Sequence, residues 1–325
     1  MRAIVHTEFG GPEVLHLAEV ATPVPGTTEI LIRIRAAGIS AEDPKQRRAD
    51  FPAAMWLPYR LIFGFSKPRK PILGFEISGV VEEIGSSVTR FAVGDEVFAT
   101  TGARLGAYAE YTCMDETAVV AHKPAHTSFV DAAAIPNGAL TALVFLRNLG
   151  RVQPGERVLV IGAAGAVGAA AVQLARHLGA EVVGVCSARN GELVRALGAS
   201  DVIDYSSEDF RDRTETYDVI FDTVGVTALA EVRPLLNPHG RLLMTVFGVR
   251  ELRQMIWTPG RVRVIGAASN FYWKQRDLRL IGELVEAGKF RAVVDRGFTL
   301  DDAADAHRYV EQGQRNGAVV LTVAP

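Results

Sequence analysis

An apolar run that turns through three glycines into a helix constrains the fold of this chain more than any other feature. Residues 158 to 168 read VLVIGAAGAVG, with Gly162, Gly165 and Gly168 in the spacing G-x-x-G-x-x-G. Glycines in such a turn let the backbone approach a pyrophosphate, whose charge is met by the N–H groups and dipole of the helix N-terminus. The spacing differs from the standard G-x-G-x-x-G. The alternative to a cofactor site is a tight strand-to-helix turn whose glycines serve only the packing of the protein.

The sequence around this turn alternates between strands and helices. Apolar strands are predicted at VLVIG, EVVGVCS, YDVIFDTVG and GRLLMTV, and helical stretches such as AVGAAAVQLARHLG lie between them. This alternation predicts an α/β domain with a Rossmann-type, doubly wound parallel sheet. Because the glycines follow a strand and precede a helix, this context strengthens the cofactor interpretation.

The chain before about Val120 has a different character. It shows short β segments broken by Gly and Pro, and EILIRIRAAGI at 29–39 alternates apolar and basic residues with a period of two. This pattern predicts a compact, mostly antiparallel β domain. The tail FTLDDAADAHRYVEQGQRNGAVVLTV predicts one helix and a final strand that could return to the first domain.

Length and composition limit the classes of function. A chain of 325 residues and 35.0 kDa is expected to form two domains. Lys and Arg number 35 against 37 Asp and Glu, so no broad basic field is present and nucleic acid is disfavoured as a partner. Cys113 and Cys186 are too few for a disulfide framework, which favours a reducing, cytoplasmic location. Neither a signal peptide nor an integral membrane segment is predicted.

Two long segments resemble the medium-chain dehydrogenase/reductase superfamily, in its zinc-independent quinone-oxidoreductase-like branch. GAAGAVGAAAVQLARHLGAEVVGVCSARN, followed by LGASDVIDY and FDTVG, is similar to the cofactor domain of that branch. LGFEISGVVEEIGSSVTRFAVGDEVFA is similar to the core of its GroES-like domain. The resemblance implies a GroES-like, mostly β catalytic domain at 1–122 and 269–325, with a Rossmann cofactor domain at 123–268. It also implies an active site in the cleft between these domains.

The segment VCSARN lies about 20 residues after the glycine turn, where a Rossmann domain reads the adenosine ribose. A carboxylate at this position would accept hydrogen bonds from a free 2′-hydroxyl and repel a 2′-phosphate. Ser187 and Arg189 instead supply a hydroxyl and a guanidinium, which suit the phosphate. NADPH is therefore the predicted cofactor, and the alternative for Arg189 is an ordinary solvated arginine.

The resemblance adds residues to this cofactor site. It implies that Tyr205 lies near the 2′-phosphate and that Thr141 lies close to the nicotinamide end. The full set of predicted cofactor-binding residues is Thr141, Gly162, Gly165, Ala166, Val167, Gly168, Ser187, Arg189, Tyr205 and Val224.

Zinc-bearing members of the superfamily carry a cysteine and a histidine at positions that here are Ser40 and Phe75. A phenylalanine cannot coordinate a metal ion, and Pro124 breaks the helix that would align His122 with His126. The sequence therefore predicts no metal. Without zinc, none of these residues supplies the Lewis acid that stabilises an alkoxide during alcohol oxidation.

The predicted catalytic residues are Ser40, Asp43 and Tyr59. In zinc-free relatives a G-I-N-P-x-D segment lies at the active site, and here it reads GISAED, so that Ser40 could donate to a substrate oxygen while Asp43 could equally be structural. Tyr59 is a further predicted proton donor, in the aromatic loop 51–71. This loop could line the substrate site, contact a membrane surface or pack against the protein as an ordinary loop. Relatives commonly end with a G-K pair, whereas this chain has Gly317–Ala318.

Together these features predict an NADPH-dependent, zinc-independent reductase that transfers hydride to a quinone or an α,β-unsaturated carbonyl. The alternatives are an enoyl or alkenal reductase dedicated to one metabolite, and a cofactor-binding regulatory protein without turnover. Pairing of the strand at 262–268 with a second copy predicts a homodimer.

Overall fold

The structure is a computed structural model, and it describes residues 1–50, 60, 61, 63–248, 253–255, 262–266, 272–313 and 315–323. The chain forms two compact units, Met1–Asn137 with Lys274–Pro325, and Gly138–Trp273. Within the described ranges, no helix combines the length and the apolar character that a bilayer-spanning segment needs.

Most strands of the middle of the chain are separated by helices, whereas most strands before it follow one another directly. The strands are β1 (Arg2–Val5), β2 (His16–Glu19), β3 (Glu29–Ile39), β4 (Glu76–Ile84), β5 (Glu96–Thr100), β6 (Tyr111–Asp115), β7 (Val120–His122), β8 (Arg157–Ile161), β9 (Glu181–Cys186), β10 (Asp201–Asp204), β11 (Tyr217–Asp222), β12 (Leu236–Met244), β13 (Arg263–Gly266), β14 (Val294–Thr299) and β15 (Ala318–Thr322). The helices are α1 (Glu42–Arg48), α2 (Phe129–Ala133), α3 (Pro136–Leu143), α4 (Ala166–His177), α5 (Gly191–Leu197), α6 (Leu229–Val232), α7 (Gln275–Glu286) and α8 (Ala303–Glu311).

The first unit is built around β3. This strand pairs antiparallel with β4, β6 and β15 in a seven-stranded sheet. Six of the strands have the order β14-β15-β3-β4-β5-β7, and β6 pairs with β3 outside this order. Ile30, Ile32 and Ile34 of the alternating β3 sequence are buried, and so are Leu31 and the residues from Ala36 to Ile39, whereas Arg33 and Arg35 stay partly exposed. Because β15 pairs with β3, the C-terminal tail belongs to this first unit.

The second unit contains a six-stranded sheet in which every pairing is parallel. Its order is β10-β9-β8-β11-β12-β13, which is the 3-2-1-4-5-6 order of a Rossmann domain. The apolar strands are buried on both faces, and Leu159, Val183 and Ile220 share one core cluster. The predicted fold class, a mostly β domain with a doubly wound parallel-sheet domain, is confirmed.

The division between the units differs from the predicted boundaries at 122/123 and 268/269. Residues 123–137 fall in the first unit because α2 packs against β3, β4 and β15. The second unit extends to Trp273. A change in sequence composition near Pro124 therefore marks the start of helical structure and not the domain boundary.

Candidate active site

The glycine turn between β8 and α4 brings backbone segments into close contact. Gly162 has a φ of +79°, and a Cβ on it would lie 2.4 Å from Val224 Cγ2. A Cβ on Gly168 would lie 2.0 Å from the carbonyl oxygen of Gly162, so a side chain does not fit there without movement of the backbone. Gly165 precedes α4, and a Cβ on it would meet only Gly162 O, at 3.5 Å.

This geometry fits the pyrophosphate of a nicotinamide cofactor. The turn is open at Gly165, and Ala166, Val167 and Gly168 form the first turn of α4. The N–H groups of a first helical turn have no partner within the helix. The dipole of this twelve-residue helix adds positive potential at the same end. A phosphate at this turn would meet backbone donors beside an open glycine.

The predicted ribose-binding residues lie together where β9 and β10 end. Ser187 follows β9, and its Oγ accepts a hydrogen bond from Asn190 Nδ2 at 3.1 Å. Arg189 is exposed in the next turn. Tyr205 follows β10, donates its N–H to Cys186 O at 3.2 Å and exposes 63% of its surface. The structure thus brings Ser187, Arg189 and Tyr205 to one edge of the parallel sheet.

A carboxylate that the sequence analysis missed lies at the same edge. Asp204 is the last residue of β10 and pairs in register with Cys186 of β9. Hydrogen bonds from Ser206, and more weakly from Ser207 and the Ala188 N–H, hold the pKa of Asp204 below its usual range. VCSARN itself contains no acid, but the neighbouring strand brings one against its backbone. The distance from the glycine turn gave no sign of Asp204, whereas the resemblance that pointed to its neighbour Tyr205 could have drawn attention to it.

The two remaining predicted cofactor residues lie on segments that contact this turn. Val224 is half exposed beside Gly162. Thr141 is buried on α3, one turn after Gly138. A Cβ on Gly138 would lie 2.7 Å from Ala166 O, so α3 packs directly against the start of α4.

In the first unit, Ser40 and Asp43 form a buried hydrogen-bonded pair immediately after β3. The backbone N–H and the hydroxyl of Ser40 both donate to Asp43 Oδ2, at 2.7 and 2.8 Å. The N–H of Glu42 donates to Ser40 Oγ at 3.0 Å. Burial raises the pKa of Asp43 to about 6, although the two donors of Ser40 act in the opposite direction.

Three further polar residues lie around Asp43, and none of them was predicted from the sequence. Burial raises the pKa of Glu76 to about 8, although its Oε1 accepts the Asn137 N–H at 2.8 Å. Tyr108 is fully buried and faces the Asp43 carboxyl, and burial raises its pKa. Arg315 is a nearby cation that interacts with both carboxyls. Glu76 had a signal in the GFE segment, whereas Tyr108 and Arg315 had none.

The two positions at which zinc-bearing relatives carry ligands hold Ser40 and Phe75, and both side chains are buried. Among the residues that the structure describes, no three His, Cys, Asp or Glu side chains are grouped to hold a metal ion. His122 lies 3.8 Å from an Asp95 carboxylate oxygen. Zinc independence stays a prediction, and elemental analysis of dialysed protein tests it.

Tyr59 lies outside the described residues, together with most of the aromatic part of its loop. In the part of the loop that is described, the Lys70 ammonium lies 5.9 Å from the centre of the Phe63 ring. The Lys70 ammonium also donates to the carbonyl of Ala103. This basic residue is therefore held by neighbouring groups of the first unit.

Three family models match successive parts of the chain. Residues 26–125 match the alcohol dehydrogenase GroES-like domain, and residues 127–235 match the C-terminal domain of alanine dehydrogenase/PNT. Residues 197–321 match a family described as zinc-binding dehydrogenase. That last range contains neither Ser40 nor Phe75.

Relatives and solved structures match the chain over nearly its whole length. The chain is 32% identical to 2-methylene-furan-3-one reductase of Solanum lycopersicum, covering 100% of this chain and 80% of that protein. It is 34% identical to a quinone oxidoreductase of Pseudomonas aeruginosa, covering 98% and 99%. The quinone oxidoreductase structure from Coxiella burnetii matches with a TM-score of 0.87 at 31% identity, covering 100% and 99%. The structure of the Escherichia coli quinone oxidoreductase complexed with NADPH matches with a TM-score of 0.83 at 27% identity, and the match covers 99% of this chain and 100% of that chain. The chain therefore belongs to the medium-chain dehydrogenase/reductase superfamily, as a quinone-oxidoreductase-like member.

Proposed function

We propose that this protein is an NADPH-dependent, zinc-independent reductase that transfers hydride to a quinone or an α,β-unsaturated carbonyl. The observation that carries the proposal is the glycine turn at the start of α4, which fits a dinucleotide pyrophosphate. Relatives whose names specify a furanone reductase and a quinone oxidoreductase support the class of acceptor.

The cofactor would be held mainly by backbone groups of the second unit. Ala166, Val167 and Gly168 would bind its pyrophosphate through N–H donors. Gly162 and Gly165, whose N–H groups donate to Val185 O and Gly162 O, would bind it by giving it room to approach the backbone. When bound, NADPH supplies a hydride from C4 of its nicotinamide ring. Thr141 and Val224, which lie on segments in contact with this turn, would position the nicotinamide end.

The choice of NADPH over NADH would rest on Ser187, Arg189 and Tyr205. Their hydroxyls and guanidinium are suitable donors for a 2′-phosphate. Their positions after the neighbouring strands β9 and β10 support this choice. The complex of the Escherichia coli relative with NADPH supports the same choice.

The acceptor would be an already electrophilic molecule that meets Ser40. Oxidation of a simple alcohol develops negative charge on oxygen, which zinc stabilises in metal-bearing relatives. A quinone or enone spreads the charge over its own π system, so that one or two hydrogen-bond donors are enough. Tyr59 stays a predicted second donor for this step.

A steady-state screen tests the function. NADPH consumption is measured with a small quinone, a linear enone and, in the reverse direction with NADP⁺, a primary alcohol. We expect turnover with the quinone or the enone and none with the alcohol. Alcohol oxidation by metal-free protein, with quinone and enone inert, would contradict the proposal. Cofactor binding without turnover would instead support a regulatory protein.

We also propose a cytoplasmic homodimer that pairs through the strand predicted at 262–268. Its described part, β13, is the last strand in the order of the parallel sheet. An edge strand presents unpaired backbone groups that a second copy can satisfy. Light scattering at micromolar concentration should give a dimer mass, and a monomer mass would contradict the pairing.

A further inference from the structure

We propose that Ser40 and Asp43 form a proton-controlled hydrogen-bond donor: Ser40 offers its hydroxyl proton to the acceptor only when Asp43 itself carries a proton. This inference rests on the proposed function, because it names the donor that completes the same reduction.

The hydrogen bonds of Ser40 carry the argument. A serine hydroxyl has one proton and can accept two hydrogen bonds. In the structure the proton goes to Asp43 Oδ2 at 2.8 Å, and one acceptor position is filled by the Glu42 N–H at 3.0 Å. With Asp43 ionised, Ser40 therefore has no proton left for another partner.

Protonation of Asp43 reverses this hydrogen bond. The acid proton on Oδ2 would donate to Ser40 Oγ across the same 2.8 Å, while Oδ2 continues to accept the Ser40 N–H at 2.7 Å. Ser40 Oγ then accepts two hydrogen bonds and its own proton becomes available. No movement of the backbone is required, because both states use the same atom pairs.

The surroundings of Asp43 favour uptake of a proton. Asp43 is fully buried, and its Oδ1 has no hydrogen-bond partner among the described residues. The same holds for the Tyr108 hydroxyl and for Arg315 Nη1. A buried carboxylate is costly because its charge is removed from water, and protonation removes that charge. A proton on Oδ1 would have no acceptor among the described residues, whereas a proton on Oδ2 donates to Ser40 Oγ. The resulting pKa of about 6 makes both states accessible near neutral pH.

Charged and titratable groups on four segments act on Asp43. Glu42 on α1 carries like charge and favours the protonated form. Glu76 on β4 faces Asp43, and because its pKa is raised to about 8 it is itself protonated where Asp43 titrates. Tyr108, before β6, faces Asp43 and favours the ionised form. Arg315, before β15, favours the ionised form as an opposite charge.

The proposed step balances in atoms and electrons. Hydride transfer brings two electrons to an acceptor carbon, and the π electrons of the conjugated system move to its oxygen. The Ser40 proton then moves to that oxygen while the Asp43 proton moves to Ser40 Oγ. Asp43 is left ionised and takes a new proton from water. The sum is acceptor plus NADPH plus one proton, giving reduced acceptor plus NADP⁺.

Two serine variants separate this role from a structural one. Ser40→Ala removes the donor, whereas Ser78→Ala removes a buried hydroxyl of the same unit that donates to Phe129 O at 2.5 Å. General acid catalysis contributes about 10²- to 10⁴-fold. We expect Ser40→Ala to lower kcat at least about a hundredfold with an enone, whose reduced form is a strongly basic enolate. With an electron-poor quinone, whose reduced form is a weak base, the loss should be below about tenfold. Ser78→Ala should lower both rates by a similar small factor.

Asp43→Asn tests the control by the proton. Its amide oxygen can replace Oδ2 and accept both Ser40 donors, which holds Ser40 in the pattern of the ionised state at every pH. We expect the wild-type enone rate to fall as pH rises above about 6, and both Asp43→Asn and Ser40→Ala to lack this pH dependence.

A titration without cofactor gives a readout apart from activity. In ¹³C NMR of aspartate-labelled protein, one carboxyl should titrate near pH 6 and be absent in Asp43→Asn. Its pKa should rise in Ser40→Ala, because a donor to the ionised form is lost. Equal loss with enone and quinone in Ser40→Ala, or no aspartate titrating between pH 5 and 7.5, would overturn the inference. Wild-type protein inert with every acceptor would instead overturn the proposed function, and the titration would still decide whether Asp43 takes a proton.

Discussion

The two candidate site regions differ in which groups are left to form hydrogen bonds. One is the glycine turn of the second unit, and the other is the polar cluster around Asp43 in the first unit. At the turn, three glycines lack side chains, and backbone donors at the start of α4 are left for a ligand. Around Asp43, five buried or partly buried side chains meet, and several of their polar atoms have no partner within the described ranges. The turn should therefore respond to added volume, and the cluster should respond to pH.

The largest effect is expected at Gly168. A Cβ there would lie 2.0 Å from Gly162 O, so Gly168→Ala must displace the turn. Overpacking costs about 1 to 3 kcal/mol in stability. Because the displaced turn would also lose its fit to the cofactor, we expect the affinity for NADPH to fall at least about a hundredfold, which corresponds to about 2.7 kcal/mol. Fluorescence titration with NADPH measures it. Gly297→Ala is the control, because a Cβ there meets nothing within 4 Å, and unchanged affinity in Gly168→Ala would refute the role of the turn.

The second effect concerns the choice of cofactor. Arg189→Ala should weaken NADPH binding and leave NADH nearly unchanged, because only NADPH has a 2′-phosphate. A charged hydrogen bond contributes about 1.5 to 3 kcal/mol, or roughly tenfold to a hundredfold in affinity. Parallel titrations with both cofactors measure it. Equal losses for the two cofactors would show that Arg189 is structural.

The third effect tests whether the polar cluster responds to pH. Because burial raises the pKa of Glu76 to about 8, its folded-state pKa lies above its unfolded value of 4.5. The contribution of protonated Glu76 to the free energy of unfolding is therefore fully present below about pH 4.5 and is lost as pH rises through about 8. Glu76→Gln should gain stability relative to wild type over this range, by about 1 to 2 kcal/mol after relaxation.

Thermal unfolding of both proteins at pH 5 and pH 9 gives the comparison for Glu76. We expect the variant to have the higher Tm relative to wild type at pH 9 and little difference at pH 5. Glu83→Gln is a control on the same strand, since its side chain is exposed. A difference in Tm between Glu76→Gln and wild type that does not change with pH would contradict the account.

How much of the fold and of the candidate site could be predicted from the sequence depends on how far apart the residues lie along the chain. The turn was predictable because Gly162 to Gly168 are adjacent in the chain and their spacing limits the backbone. The cluster was not, because strands β3, β4 and β15 bring Asp43, Glu76 and Arg315 together from distant positions. The resemblance pointed to Ser40 and Asp43 but gave no sign of Tyr108.

Asp204 in the second unit also lies close to residues that are distant along the chain. Its substitution is expected to give the smallest of the predicted effects. It stands next to VCSARN only because β9 and β10 pair in parallel. Its charge should slightly disfavour a 2′-phosphate, so Asp204→Asn should strengthen NADPH binding about two- to fivefold with NADH unchanged. Glu181→Gln, at the opposite end of β9, is the matched control. Weaker NADPH binding in Asp204→Asn would show that this carboxylate instead supports the binding loop.

The most direct test of the central claim, hydride transfer from NADPH to an activated acceptor, is to follow the hydride itself. NADPH deuterated at C4, with each face labelled in a separate reaction, is incubated with the protein and a linear enone, and the product is analysed by mass spectrometry and NMR. We expect one of the two labels to appear at the β-carbon of the saturated product. Consumption of NADPH with no deuterium in the product from either label would contradict the account.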